Sequence, residues 1–177
     1  MREPLSLSVI EVMMPSIRAN FQAEGRPPWE PLSPVTIQFR NGATGPILHR
    51  TGNLQRAATS FKIWSISNTS ATVKNLPSSV WYGVLHQEGF GGFKPFMQAA
   101  QSALGSKASF RDITRHAFEL LDAARGGATS HRKITIPQRQ FIMYQDEDID
   151  SIQEVFADWM EREARRVGRF GTAVRGL

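Results

Sequence analysis

Four histidines, His49, His86, His116 and His131, are the only imidazoles in this 177-residue chain, and there is no cysteine. Without a thiol there is no disulfide scaffold, thiolate nucleophile, iron–sulfur cluster or cysteine-containing zinc site. The histidines are separated by 37, 30 and 15 residues, so no pair shares a helical turn or a strand face and no metal-ligand spacing is present. The remaining route to bond chemistry is a carboxylate pair, and the run QDEDID at 145–150 supplies the residue types. Acidic residues at that place have a simpler use, because they stand just before an apolar-periodic helix whose first turn they stabilise.

Other solutions to catalysis leave recognisable motifs, and none occurs. There is no GxSxG elbow, GxxxxGK[ST] loop, GxGxxG fingerprint or HExxH helix. The glycines of HQEGFGGF at 86–93 lack a lysine or hydroxyl at the spacing a phosphate cradle needs. His86 is best read as a buried hydrogen-bonding post for a turn. The sequence therefore assigns no catalytic residue, no cofactor and no metal, and the chain is expected not to be an enzyme.

The elements that would position such residues follow from periodicity. Val9, Ile10, Met13, Met14, Ile17 and Phe21 predict an amphipathic helix over about 6–23, with Pro15 either kinking it or starting it. Pro27, Pro28, Pro31 and Pro34 then fix the backbone around Trp29. Ser33-Pro34 signals a short helix carrying Ile37 and Phe39, and Thr51 signals the cap of another bearing Leu54 and Ala57. Residues 59–66 and 71–76 flank the SNTS turn as a hairpin. Val80 to His86 alternates as a third strand, and HRKITI at 131–136 gives a fourth. Between them, Phe110, Ile113, Ala117, Leu120, Leu121 and Ala124 form a helical stripe, which predicts an insertion over about 93–130.

Ile149, Ile152, Val155, Phe156, Trp159 and Met160 define the last helix, acidic at its start and basic at its end, in agreement with the helix dipole. The glycines beyond it predict a mobile arm over 168–177. The tryptophans Trp29, Trp64, Trp81 and Trp159 are too scattered for a stacking platform, and at least three are expected in the core.

These elements predict an α+β fold: a small antiparallel or mixed sheet of about four strands against N-terminal and C-terminal helices, with a helical insertion between strands three and four. It is one domain over 1–167, followed by the arm. No uncharged apolar run approaches the ~20 residues a membrane span needs, and the N-terminus lacks a secretion leader, so an intracellular origin is expected. The net charge of +5 permits nucleic-acid contact. Residues 161–177 carry five arginines, Arg162, Arg165, Arg166, Arg169 and Arg175, against two glutamates. Such a segment meets DNA phosphates, pairs with an acidic neighbouring subunit, or is simply solvated.

Four blocks then carry a resemblance. Trp29, Pro31, Leu32 and Ser33 form W-x-P-L-S; Thr51, Gly52 and Leu54 form T-G-x-L; Tyr82, His86, Gln87 and Gly89 form Y-x-x-x-H-Q-x-G; Ile136, Pro137, Arg139 and Phe141 form I-P-x-R-x-F. In this order and register the chain resembles the phage virion morphogenesis family, the Mu-like tail completion proteins. Gln140 departs from it, standing where a proline often precedes the phenylalanine, and the 93–130 stretch is longer than the usual connection.

The resemblance implies a structural protein of the phage neck or head-proximal tail end that joins tail to head as a ring of identical subunits, several relatives being sixfold. It implies contacts with tail tube, tail terminator or head-tail connector proteins, a location in the virion after assembly in the host cytoplasm, and no membrane. The block residues are then candidate interface positions, with Arg139, Phe141 and the HQEG turn shaping a subunit surface or a ring-facing loop.

Overall fold

In the computed structural model, which describes residues 1–91 and 135–174, the first rod is shaped by Pro15. Helix α1 (Arg2–Leu7) runs through a π-helical stretch (Ser8–Met13) into α2 (Met14–Gln22) without a break. Pro15 has no N–H and its ring crowds the carbonyl four residues back. The widened turn just before it relieves that conflict, with the Met14 N–H donating five residues back to the Val9 carbonyl. The rod ends where Gly25, at φ +104°, donates its N–H to the Asn20 carbonyl. A Cβ at Gly25 would lie 2.5 Å from the Trp29 ring, so a side chain there would displace the tryptophan.

Short elements follow. Helix α3 (Pro34–Phe39) opens as expected, with the Ser33 hydroxyl accepting the Thr36 N–H at 3.2 Å. Helix α4 (Asn53–Ala58) is capped by Gly52 at φ +71° and not by the Thr51 side chain. Strands β1 (Trp64–Ile66) and β2 (Ala71–Val73) pair antiparallel, Trp64 opposite Val73 and Ile66 opposite Ala71. Their turn is closed by the Ser67 hydroxyl, which accepts the Thr69 and Ser70 N–H groups.

The expected third strand is helical. Residues 78–80 form a 3-10 turn and Tyr82–Glu88 form α5. Val80, Gly83 and Leu85 are its buried members, and Gly83 explains the choice. Its missing side chain lets α5 approach α4 so closely that a Cβ would sit 2.5 Å from Leu54 Cδ1 and 2.6 Å from Leu76 Cδ1. That contact is not visible in a local alternation pattern, which fits strand and helix alike over so few residues.

Strands β3 (Phe90–Gly91) and β4 (Thr135–Ile136) make a second antiparallel ladder. Among the described residues there are thus two separate two-stranded ladders, where a single sheet of about four strands was expected. The fold is α+β. The 93–130 insertion lies outside the described residues. Helix α6 (Asp146–Val174) is 29 residues long and continues beyond 167, into the stretch whose glycines predict an arm.

The core joins the rod (Val9, Met13, Ile17, Phe21) to Trp29, Leu54, Ala58, Ile63, Trp64 and Phe141. Phe21 is its aromatic centre, edge-on to Trp29 at 5.7 Å and tilted against Phe141 at 5.4 Å. Trp29 and Trp64 are buried, whereas Trp81 and Trp159 are only half-buried, fewer than the three core tryptophans expected.

Candidate functional site

Residues 137–142 have no regular secondary structure and carry most of the I-P-x-R-x-F block; two of the other three blocks bond directly to them, and the last packs in the core through Leu54. Gln87, near the end of α5, treats the segment as a strand would. Its Oε1 accepts the Phe141 and Ile142 N–H groups at 3.1 and 3.2 Å, and its Nε2 donates to the Ile142 carbonyl at 2.8 Å. Only a primary amide offers an acceptor and a donor side by side in this way. The Arg139 N–H donates to the His86 carbonyl at 2.6 Å, and Gln138 Nε2 donates to the Gln87 carbonyl at 3.2 Å. Gly89 follows at φ +68°, where a Cβ would meet the Gln138 backbone nitrogen at 2.8 Å. The H-Q-x-G block is a clamp on a piece of irregular chain.

The Trp29 loop grips the same segment from another direction. Trp29 Nε1 donates to the Gln140 carbonyl at 3.0 Å. Because the backbone carbonyl is used and the Gln140 side chain is exposed, the departure from proline at this position leaves the contact intact. Arg139 reaches back, its Nε and Nη2 donating to the Glu30 carbonyl at 3.0 and 2.9 Å and its Nη2 also to the Pro31 carbonyl at 3.0 Å. Arg139 is 4% exposed and Phe141 is fully buried. Both side chains turn into the subunit, so they shape its surface only through the backbone they hold. Irregular backbone placed in a core needs partners for its polar groups, and these side chains supply them.

The remaining block residues grade outward. Leu54 is buried beneath Gly83; Leu32 and Tyr82 pack half-buried against the core; Gly52 and Pro137 are half-buried; Pro31 and Thr51 are exposed.

His86 is chemically restrained. Burial, reinforced by the positive charge of Arg139, pushes its pKa down to about 4. The residue as a whole is half-buried, but its Nδ1 is sealed from solvent and has no hydrogen-bond partner in the described structure. Such an imidazole is neutral at physiological pH. The ring is packed and its Nδ1 makes no hydrogen bond, so it is not the hydrogen-bonding post expected; the backbone carbonyl of His86 is the group that holds the turn, accepting the Arg139 N–H. Among the described residues no three His, Asp or Glu side chains group as metal ligands.

A second polar cluster was not anticipated. Arg26 Nε donates to Asn20 Oδ1 at 2.9 Å, its Nη2 to the Ser16 hydroxyl at 2.8 Å, and its Nη1 pairs with Glu147 at 2.6 Å. Ser16 Oγ donates to Asp148 Oδ2 at 2.7 Å; that oxygen also accepts the Gln145 N–H at 2.9 Å, capping α6. Asn20 Nδ2 closes the circuit on the Phe141 carbonyl at 3.2 Å. Asp148 is therefore a buried tether between α2 and α6, unlike its solvated neighbours in the acidic run. The available signal was Ser16 and Asn20 interrupting the apolar stripe Val9-Met13-Ile17 at helical spacing, since a polar residue on a core face needs a partner. Arg26 left no such signal.

The basic candidates lie apart from both clusters. Arg162, Arg165 and Arg166 are exposed on α6; Arg162 approaches Glu3 at 3.6 Å, while the other two pair within the helix with Glu161 and Glu163. Arg169 lies further along the same helix. No helix among the described residues is long and apolar enough to cross a membrane.

An α+β body whose signature residues bond to one another is built to hold a shape. Consistent with this, the sequence profile of the phage virion morphogenesis family matches residues 1–161, and the chain belongs to that family. It is a bacteriophage morphogenesis protein, from a family of structural and assembly components. No curated protein and no solved structure matches it.

Proposed function

We propose that the protein completes the tail and joins it to the head, forming or binding a ring of identical subunits at the neck or head-proximal tail end. The family match over 1–161, with all four blocks inside it, carries the reading. The rigidity of those blocks adds a physical reason. A ring multiplies a modest contact between subunits into firm attachment only if each subunit keeps its shape. Locking the Trp29 loop, the H-Q-x-G turn and residues 137–142 together removes the ordering cost that a loose connection would add on association. The partners on this reading are further copies of the chain, in a ring of six, and the tail tube, tail terminator or head-tail connector.

Phage lacking the protein should yield filled heads and finished tails that stay separate, counted by electron microscopy, with joining restored when the purified protein is added. Normal particles from such a mutant would defeat the proposal. Finding the protein necessary for joining but absent from purified virions would make it an assembly factor. The +5 charge favours a further reading, contact with DNA passing through the neck. Removing residues 168–177 should then flatten the salt dependence of DNA association.

A further inference from the structure

Charge is sorted along this chain. Residues 31–87 contain five bases, Arg40, Arg50, Arg56, Lys62 and Lys74, and no acid, whereas 146–161 contain seven acids and no base. Among the described residues no ion pair joins the two sets.

Three of the bases, with His49, belong to one stretch of surface chain, residues 40–56. Arg40 Nη1 donates to the Gly45 and Pro46 carbonyls at 2.9 and 3.2 Å. The Pro46 carbonyl also accepts the His49 N–H, and Arg56 Nη2 donates to the Thr51 carbonyl and to Asn53 Oδ1. These partners are neutral, so they hold the loop in shape without cancelling its charge. The acid seen against the loop is Glu24, half-buried, whose Oε1 accepts the Ile47 N–H at 3.2 Å. Leu48 follows at φ +58°, a region leucine avoids, and is kept there by packing against the core. Arg50 and Arg56 are thus displayed, exposed, on a loop of fixed form.

Helix α6 carries the complement. Of its acids, Asp148 is the buried tether, Glu147 and Glu161 pair with Arg26 and Arg165, and Asp158 has Arg162 one turn on. Asp146, Asp150 and Glu154 are exposed and form no ion pair among the described residues. They follow at four-residue intervals, so their carboxylates share one ridge and repel one another. At about 100° per residue, the ridge is diametrically opposite the side that buries Asp148 and packs Ile152 on the core. The helix dipole relieves Asp146 in the first turn but not Glu154, two turns on.

We propose that the basic loop 40–56 of one subunit receives the acidic ridge of α6 from a second copy, with Arg50 and Arg56 against Asp150 and Glu154. The two surfaces differ, so the contact is heterologous and passes from copy to copy, the kind that closes into a ring. Nucleic acid on the loop would satisfy the arginines and leave the ridge repelling itself, whereas a second copy relieves both. The contact rests on the reading that the protein works as a ring of identical subunits, and names the surfaces that meet.

Two full-length variants test it. Arg50→Glu/Arg56→Glu reverses the loop and Asp150→Arg/Glu154→Arg reverses the ridge; all four side chains are exposed, so both variants should keep the wild-type circular dichroism. Each alone should self-associate at least tenfold more weakly than wild type in sedimentation equilibrium. An equimolar mixture should associate again, because reversed loop meets reversed ridge and native ridge meets native loop. Variants that associate as wild type does, a mixture no better than its parts, or a wild-type protein that stays monomeric overturns the inference; so does a loop variant that loses binding to duplex DNA while associating normally. Joining is scored separately, by adding wild-type protein to heads and tails that lack it. If joining occurs while the mixture fails, the contact is wrong and the joining function stands. If the mixture is restored and joining does not occur, the reverse holds.

Discussion

The clamp around residues 137–142 and the distal half of α6 are opposites in construction. At the clamp, Gln87, Arg139 and Trp29 use their polar groups on buried backbone, and Phe141 fills the space beneath. On distal α6, three arginines and two large apolar residues stand in solvent, with their ion pairs at the surface. The contrast teaches that Gln87, Arg139, Trp29 and Phe141 spend their polar and apolar groups inside the subunit, while the arginines of distal α6 leave theirs in solvent.

The largest effect expected on this comparison is that of Phe141→Ala. It removes the ring from a fully buried site against Phe21, and should cost about 3–5 kcal/mol in denaturant unfolding. A cost below ~1 kcal/mol would mean that the clamp is not the structural centre described here.

The next effect is a pH dependence. His86 titrates near 4 in the folded protein, below its ordinary value of 6.5. Between these values the unfolded chain binds a proton that the folded chain refuses, so stability is full above about pH 6.5, falls as pH drops toward 4, and levels off below. The total from this group is at most roughly 3 kcal/mol. Unfolding curves of wild type and His86→Gln over pH 4–7 should differ in slope across that window. Parallel profiles would show that the ring is not held neutral.

The smallest effect sharpens the other side. Replacing Arg165 and Arg166 by alanine should change stability by no more than about 0.5 kcal/mol, since both pairs are exposed. A large loss would place distal α6 within the fold's own support and erase the distinction.

Local signals made much of this legible. The Ser33 cap, the SNTS hairpin and the polarity of α6 follow from side chains acting on backbone a few residues away. Pro15 announced a defect, although which defect, a π-helical widening, depended on how the rod packs. Where long-range packing competed with a local pattern, packing won: Gly83 turned an alternating stretch into a helix against Leu54 and Leu76. The candidate site was legible as a set of residues but not as an arrangement. The order of the blocks carried the family resemblance; nothing in it showed that Trp29, Gln87 and Arg139 converge around residues 137–142.

By itself the sequence determined the family, the absence of thiol chemistry, the Ser33 cap and the SNTS turn, and the charge order of α6, because each depends on residue identity or on neighbours along the chain. Only the tertiary structure decided that Arg139 and Phe141 face inward, that Asp148 is a tether as well as a cap, and that α6 outruns the helix it packs on. Those outcomes depend on which distant backbone groups need partners and which surfaces are left uncovered, and both are settled only when the chain closes on itself.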